Sequence, residues 1–123
     1  MKHSPGFLRI CEAARARVHE IDTADVARRI DAGAPMVLVD VREDHEWSRG
    51  HLPGAVHLGR GVLERDAEQT WPDPATPLVM YCGGGFRSAL AAVSLQELGY
   101  TNVSSVAGGV RAWQAEGRPL VTD

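Results

Sequence analysis

Short apolar runs alternate along this chain with stretches in which apolar residues recur every three or four positions. The short runs predict strands at residues 18–21, 36–39, 55–58, 78–81 and 103–106. Helical spacing predicts helices at residues 7–17, 24–31, 44–49, 88–98 and 110–116, and a helical turn within residues 61–68. Strands that alternate with helices over the whole length favour an α/β fold with a mainly parallel central sheet of about five strands.

Composition narrows the class of protein. The chain has 123 residues, which suits one domain, and its 44% hydrophobic and 24% charged residues are ordinary for a globular protein. A net charge of -3 with scattered arginines gives no basic surface for nucleic acid. No apolar run approaches the roughly 18 residues of a membrane span, and residues 1–17 lack the apolar core of a signal peptide. We therefore expect a soluble, cytoplasmic protein that binds neither nucleic acid nor membrane.

The candidate chemistry lies directly after the strand at residues 78–81. The segment that follows it consists of Cys82, Gly83, Gly84, Gly85, Phe86, Arg87 and Ser88. A cysteine between the end of a strand and the start of a helix faces backbone N–H groups and the positive end of the helix dipole. That setting, with an arginine nearby, favours the thiolate, which is the nucleophilic form. We interpret Cys82 as the nucleophile, Arg87 as a cation for anionic donors, and Ser88 as a hydrogen-bond donor or helix cap.

Three other residues lie where they could support the site or the core. Cys11 lies on the inward face of the first predicted helix, so we interpret it as a packing residue. Asp40 and Arg42 follow the strand at residues 36–39, and ligands of parallel sheets gather beyond the carboxyl ends of strands. They could reach the crevice of Cys82, or they could support the loop through hydrogen bonds or an ion pair with Glu46. We treat both as supporting residues.

Four groups of residues occur in the order and spacing of one protein family. They are residues 40–43 with Glu46, Trp47 and 50–55; Tyr81, Cys82, Gly85, Arg87 and Ser88; residues 99–103; and residues 108–113 with Gly117 and Pro119. Over residues 18–121 the chain resembles the rhodanese family of sulfurtransferases. The resemblance implies a three-layer α/β/α rhodanese-like domain at residues 18–123, preceded by an N-terminal helical extension at residues 1–17.

The resemblance also implies an activity. Cys82 would take a sulfane sulfur from a donor such as thiosulfate, carry it as a persulfide, and pass it to a thiophilic acceptor such as cyanide or a thiol. The donor could be a small molecule or a protein, and no metal or organic cofactor is needed. Unusual dihedrals at Gly83, Gly84 and Gly85 would turn successive amides toward the persulfide anion. Some members that use thiosulfate carry a basic residue where this chain has Gly83, and Phe86 offers an apolar wall that suits a larger donor.

Two other functions stay open from the sequence. A related branch of the same fold hydrolyses phosphoesters with a Cys-x5-Arg loop, whereas Cys82 and Arg87 form the shorter Cys-x4-Arg. A non-catalytic interaction module is the other alternative, although inactive members of the family usually lack the cysteine. The five histidines show no spacing typical of metal ligands, so no metal site is predicted.

Overall fold

The computed structural model describes residues 2–123. Their strands are β1 (His19–Ile21), β2 (Val37–Asp40), β3 (Val56–His57), β4 (Leu78–Tyr81) and β5 (Val103–Val106). Their α-helices are α1 (Pro5–Arg15), α2 (Thr23–Ala32), α3 (Asp44–Arg49), α4 (Leu63–Thr70), α5 (Phe86–Leu98) and α6 (Gly109–Ala115). The strands form one parallel sheet in the order β1-β5-β4-β2-β3. The predicted α/β fold with a parallel sheet of five strands is confirmed.

Strand β4 lies at the centre of the sheet and is buried on both faces. Leu78 and Met80 belong to a core that includes residues of α4 and α5, whereas Val79 and Tyr81 belong to a second core with residues of α2 and α6. Because helices cover both faces, the strand is a continuous apolar run rather than an alternating one. The three layers therefore place the residue after β4 at the middle of the sheet's carboxyl edge.

Helix α1 begins two residues before its predicted start at residue 7. Ser4 caps it, since its Oγ accepts a hydrogen bond from the Phe7 N–H at 3.4 Å, and Pro5 takes the first helical position. Its buried side chains are Cys11 and Ala14, and the helix packs against α5. The division into an extension at residues 1–17 and a domain from residue 18 stays a prediction. None of the helices within residues 2–123 has the length and apolarity needed to cross a bilayer.

The segment at residues 60–70 is more helical than the sequence indicated. A 3-10 turn at Arg60–Val62 leads into the eight-residue helix α4, where only a helical turn was predicted. Leu63 and Ala67, four residues apart, are fully buried and place one side of this polar helix in the core that also includes residues of β4 and α5. Tertiary packing rather than local propensity therefore decides the structure of this segment.

Candidate active site

Cys82 forms part of the floor of a cavity of about 430 Å³ at the carboxyl edge of the sheet. It directly follows β4, and only 1% of the residue is exposed. The cavity is lined by His3, Phe7, His45, Glu46, Cys82, Gly83, Gly84, Phe86, Arg87 and Arg111. The structure therefore brings residues 82–84, 86 and 87 of the predicted loop to one cavity, together with residues from three other parts of the chain.

The sulfur of Cys82 accepts two backbone hydrogen bonds. The N–H of Gly85 lies 3.2 Å from Sγ, and the N–H of Ser88 lies 3.3 Å from it. The thiol donates to the Ser88 hydroxyl at 3.5 Å, and that hydroxyl is hydrogen-bonded to Ser105 Oγ at 2.8 Å. Both serines are fully buried. Two amide donors that converge on one sulfur complement a negative charge at that atom.

One glycine sets the direction of the loop. Gly85 has a φ of 95°, in the left-handed region, and is the N-cap of α5. A Cβ at Gly85 would lie 3.0 Å from the Gly108 nitrogen and 3.3 Å from the Val106 carbonyl oxygen. Gly83 and Gly84 do not have positive φ, so Gly85 is the one glycine of the three that takes the left-handed conformation. The close approach of a neighbouring backbone explains the glycine at position 85.

Ser88 is not the cap of the following helix. That helix, α5, begins at Phe86, so Ser88 is its third residue and its side chain points to the sulfur and to Ser105 instead. The prediction that α5 begins at Ser88 is wrong because Gly85 takes the left-handed conformation and starts the helix earlier. Ser88 therefore contacts Cys82 with both its N–H and its hydroxyl.

Helix α6 holds the loop from its other side through the backbone. The Val110 N–H donates to the Cys82 carbonyl oxygen at 2.9 Å, and the Arg111 N–H donates to the Gly83 carbonyl oxygen at 2.9 Å. A Cβ at Gly109 would collide with the Cys82 carbonyl oxygen, so a glycine is required there. The first N–H groups of a helix have no partner within the helix, and here the loop provides two acceptors for them.

Arg87 forms a bidentate ion pair with Glu46 at the edge of the cavity. Nη1 lies 2.7 Å from Oε1, and Nη2 lies 3.0 Å from Oε2. The hydrogen bonds from Arg87 hold the pKa of Glu46 at about 2, well below its ordinary value, and they raise the pKa of Arg87. The charge of Arg87 is therefore matched by a carboxylate. The alternative that Glu46 pairs with Arg42 is wrong, because Glu46 pairs with Arg87.

Asp40 and Arg42 form a separate buried pair. Asp40 is fully buried and Arg42 is 6% exposed. Arg42 donates from Nη2 to Asp40 Oδ2 at 2.8 Å and to the Gly50 carbonyl oxygen at 2.7 Å. Neither residue lines the cavity of Cys82. The pair ties the end of β2 to the segment after α3, and its supporting role in the reaction stays a prediction.

Five residues that line the cavity were not predicted as substrate-binding residues, namely His3, Phe7, His45, Glu46 and Arg111. The position in the sequence could have indicated three of them. Arg111 follows β5, while His45 and Glu46 follow β2, and these two strands flank β4 in the sheet. The rule that ligands gather at the carboxyl ends of parallel strands therefore applies to all three. His3 and Phe7 carry no such signal, because their position depends on how α1 docks on α5.

The described residues hold no cluster of three or more histidine, cysteine, aspartate or glutamate side chains suited to a metal ion. Both cysteines of the chain are free thiols. The side chains that line the cavity offer one nucleophile, one ion pair and further cationic or aromatic groups. The arrangement therefore suits chemistry at sulfur on an anionic substrate.

Comparison with known proteins identifies the family. The family model of the rhodanese-like domain matches residues 22–116. YtwF of Bacillus subtilis is 36% identical over 102 residues, which cover 83% of this chain and 96% of that protein. A sulfurtransferase of Allochromatium vinosum is 32% identical over 104 residues, which cover 85% of this chain and 95% of the relative.

A solved structure from Rhodopseudomonas palustris, of a protein of unknown function described as a "possible tyrosine phosphatase", has a TM-score of 0.80. It is 32% identical, and the match covers 98% of both chains, so it extends over the α1 region that the family model leaves out. The fold, the order of the motifs and these matches agree. The chain belongs to the family of rhodanese-like domains.

Proposed function

We propose that this protein is a sulfurtransferase that carries sulfane sulfur on Cys82 as a persulfide. The observation that carries the proposal is the position of the Cys82 sulfur in an open cavity. There it accepts hydrogen bonds from the N–H groups of Gly85 and Ser88 at 3.2 and 3.3 Å. The relative from Allochromatium vinosum is named a sulfurtransferase, which supports the same class of activity. Donors at that position stabilise a sulfur anion before and after transfer.

The reaction has two displacement steps. In the first, the Cys82 thiolate attacks the outer sulfur of thiosulfate; the Sγ–S bond forms, the donor's S–S bond breaks, and the electron pair leaves with sulfite. In the second, cyanide or a thiolate attacks the outer sulfur of the persulfide; the Sγ–S bond breaks, and its electron pair returns to Cys82 as thiolate. Charge and atoms balance in both steps without a redox partner. Because the enzyme carries the sulfur between the two steps, the mechanism is ping-pong covalent catalysis.

The loop contributes the electrostatic part of this reaction. The amide N–H groups of Gly83, Gly84, Phe86 and Arg87 donate to no acceptor within residues 2–123, so they can donate to an anion in the cavity. Once Cys82 is a thiolate, the Ser88 hydroxyl can donate to Sγ while it accepts a hydrogen bond from Ser105, 2.8 Å away. Such donors are fixed before the reaction begins, and each typically changes the rate by about 10²–10³.

The proposed partners are a small-molecule or protein sulfur donor and a thiol acceptor. Thiosulfate is the first donor to test because the cationic Arg111 lines the cavity. A cytoplasmic location is part of the proposal, since thiolate chemistry of this kind needs reduced cysteines, and both cysteines of the chain are free.

Intact-mass measurement tests the proposal. We expect wild-type protein mixed with thiosulfate to gain the mass of one sulfur atom and to lose it on addition of cyanide. Cys82→Ser should gain nothing, whereas Cys11→Ser, the matched control at the other buried cysteine, should gain one sulfur atom as the wild type does. If wild type gains no sulfur from thiosulfate, mercaptopyruvate or an organic persulfide, the proposed activity is wrong.

A phosphatase is the second candidate, favoured by the description of the Rhodopseudomonas palustris protein. The Cys-x4-Arg loop is one residue shorter than the Cys-x5-Arg loop of the phosphatase branch, and Arg87 is paired with Glu46 rather than placed alone to bind a phosphate. Turnover of p-nitrophenyl phosphate that disappears in Cys82→Ser would support it. Partner binding that is unaffected by Cys82→Ser, with no sulfur uptake, would instead indicate an interaction module.

A further inference from the structure

The amino-terminal segment forms one wall of the cavity of Cys82. His3 and Phe7 line the same cavity as the nucleophile, and both are partly buried. They lie outside residues 22–116, the part of the chain that the family model matches. A feature outside the matched region can give this protein a substrate preference that the family does not share.

Three aromatic rings make up this wall. The ring centroids of His3 and Phe86 are 4.7 Å apart, those of His3 and Phe7 are 5.0 Å apart, and those of Phe7 and Phe86 are 6.1 Å apart. These distances fall in the range of favourable aromatic pairs. We refer to His3, Phe7 and Phe86 as the aromatic wall; it joins α1 to the first residue of α5, directly beside the loop of Cys82.

The aromatic wall is held in place by the packing of α1 against α5. Cys11 and Ala14 bury the inner face of α1, which packs against α5, and Ser4 caps the helix just before Phe7. Side chains that are held in place before binding lose little entropy when a ligand arrives. The wall can therefore contribute to the affinity of the cavity for a flat apolar group, and not only shield the cavity from solvent.

A cation completes the cavity. The Arg111 N–H donates to the Gly83 carbonyl oxygen, and its guanidinium Nη1 lies 3.5 Å from the place of a Cβ on Gly84. Within residues 2–123 the Arg111 side chain forms no ion pair, whereas Arg87 is bound by both oxygens of Glu46. The positive charge open to an anionic group is therefore that of Arg111.

We propose that Phe7, His3 and Arg111 determine donor specificity, so that the site prefers an organic sulfur donor with both a flat apolar group and an anionic group. The inference rests on the proposed persulfide chemistry at Cys82. The cavity of about 430 Å³ falls in the size range of sites for drug-sized ligands, roughly 300–1,000 Å³, and far exceeds the five atoms of thiosulfate. An arylthiosulfonate, Ar–SO₂–S⁻, has the required chemistry.

Sulfur transfer from such a donor forms and breaks the same types of bond as sulfur transfer from thiosulfate. The Cys82 thiolate attacks the terminal sulfur of Ar–SO₂–S⁻ and the Sγ–S bond forms. The S–S bond of the donor breaks, and its electron pair leaves with the arylsulfinate. The aryl group stays on the leaving group, where the aromatic wall would contact it, and the sulfonyl oxygens would face Arg111.

The test compares the sodium salts of benzenethiosulfonate and methanethiosulfonate, which differ only in the apolar group. For each salt, kcat/KM is measured with cyanide as acceptor. We expect the aryl donor to exceed the methyl donor by about tenfold or more in the wild type, and Phe7→Ala to lower that ratio by about tenfold. Phe7→Leu, which keeps an apolar side chain and protects the fold, should lower the ratio by a smaller factor.

Three further variants, one at Ile10 and two at Arg111, complete the test. Ile10→Ala, on the exposed side of α1, is the matched control and should keep the wild-type ratio. Arg111→Gln should lower kcat/KM for both donors by about tenfold, and Arg111→Lys should restore part of it. A wild-type ratio near one, or a ratio unchanged in both Phe7 variants, would overturn the inference. Sulfur uptake from neither donor nor thiosulfate would instead contradict the proposed function itself.

Discussion

The two cysteines of this chain are equally buried and differ in almost everything else. Cys11 is 0% exposed and Cys82 is 1% exposed. Cys11 lies in the middle of α1, where burial raises the pKa of its thiol, and within residues 2–123 no hydrogen bond to its sulfur occurs. Cys82 lies between a strand and a helix, with two amide N–H groups and the Ser88 hydroxyl at its sulfur.

Burial alone therefore does not determine how reactive a cysteine thiol is. An apolar setting disfavours the thiolate, whereas hydrogen-bond donors placed at the sulfur favour it. The difference arises from the backbone: a cysteine in the middle of a helix finds the N–H groups around it already bonded, but a cysteine just before a helix meets N–H groups without partners.

Alkylation should separate the two thiols most clearly. We expect iodoacetamide to label Cys82 at least about 100-fold faster than Cys11, because Cys82 lines a cavity and Cys11 reacts only when α1 opens. Local opening that costs about 3 kcal/mol gives a factor of this size. Peptide mapping after timed quenching measures both rates. Comparable rates in folded protein would show that the surroundings of the two sulfurs are chemically equivalent.

Gly85→Ala should lower the reactivity of Cys82 and so bring it closer to that of Cys11. The new Cβ would meet the Gly108 nitrogen and Val106 oxygen at 3.0 and 3.3 Å, so the amide that donates to Sγ must shift. We expect labelling and sulfur loading at Cys82 to slow by about tenfold and the unfolding free energy to fall by about 1–3 kcal/mol.

Gly117→Ala is the matched control for that substitution. Gly117 also has a positive φ, 75°, but a Cβ there would meet nothing within 4 Å. It should therefore show a similar backbone cost without the change in labelling or sulfur loading. Equal labelling rates in the two variants would mean that the Gly85 amide does not influence the sulfur.

Cys11→Ala should affect stability and leave the chemistry intact. It removes a fully buried sulfur from the face of α1 that packs on α5, and such a cavity costs about 1–2 kcal/mol of unfolding free energy. Urea unfolding measures the loss, and intact mass after thiosulfate measures sulfur loading, which should match the wild type. Loss of loading in a folded Cys11→Ala protein would assign that cysteine a role beyond packing.

The smallest effect concerns pH and the ion pair beside Cys82. The pKa of Glu46 is about 2 in the folded protein, against an ordinary value of 4.5, mainly because of hydrogen bonds from Arg87. The pair therefore stabilises the folded state above pH 4.5, and this contribution is lost as pH falls from 4.5 toward 2.

For a partly exposed pair, solvent screening limits that contribution to about 1 kcal/mol. Urea unfolding at pH 6 and pH 3 should show Glu46→Gln less stable than wild type at pH 6, with a smaller difference at pH 3. A difference that does not shrink in acid would show that the ionised carboxylate is not the cause.

The sequence predicted the parts of this molecule that depend on neighbouring residues. The strand at Leu78–Tyr81 and the loop at Cys82 are consecutive in the chain, so their apolar run and glycines are visible without a structure. The parallel sheet followed from the alternation of strands and helices. The start of α1 was missed although Ser4 and Pro5 form a recognisable cap, and the start of α5 was missed because a glycine there begins a helix rather than a loop.

The remainder of the site depends on contacts between distant segments. Glu46 reaches Arg87 across 41 positions of the chain, and the aromatic wall brings His3 and Phe7 to Phe86. No local pattern encodes these distances, because they arise only when α1 and α3 pack beside the loop. The strand-end rule could have found Arg111, since β5 lies next to β4.

The two hydrogen bonds from α6 that support the loop of Cys82 do not depend on the side chain that contacts the donor. They come from the backbone N–H groups of Val110 and Arg111, so any residue at position 111 except proline can hold the loop in this way, whereas Gly109 admits no other residue. Evolution can therefore alter the charge at the mouth of the cavity without rebuilding the nucleophile's support. Position 111 is accordingly a natural point at which to redirect this domain, by mutation over time or by protein engineering.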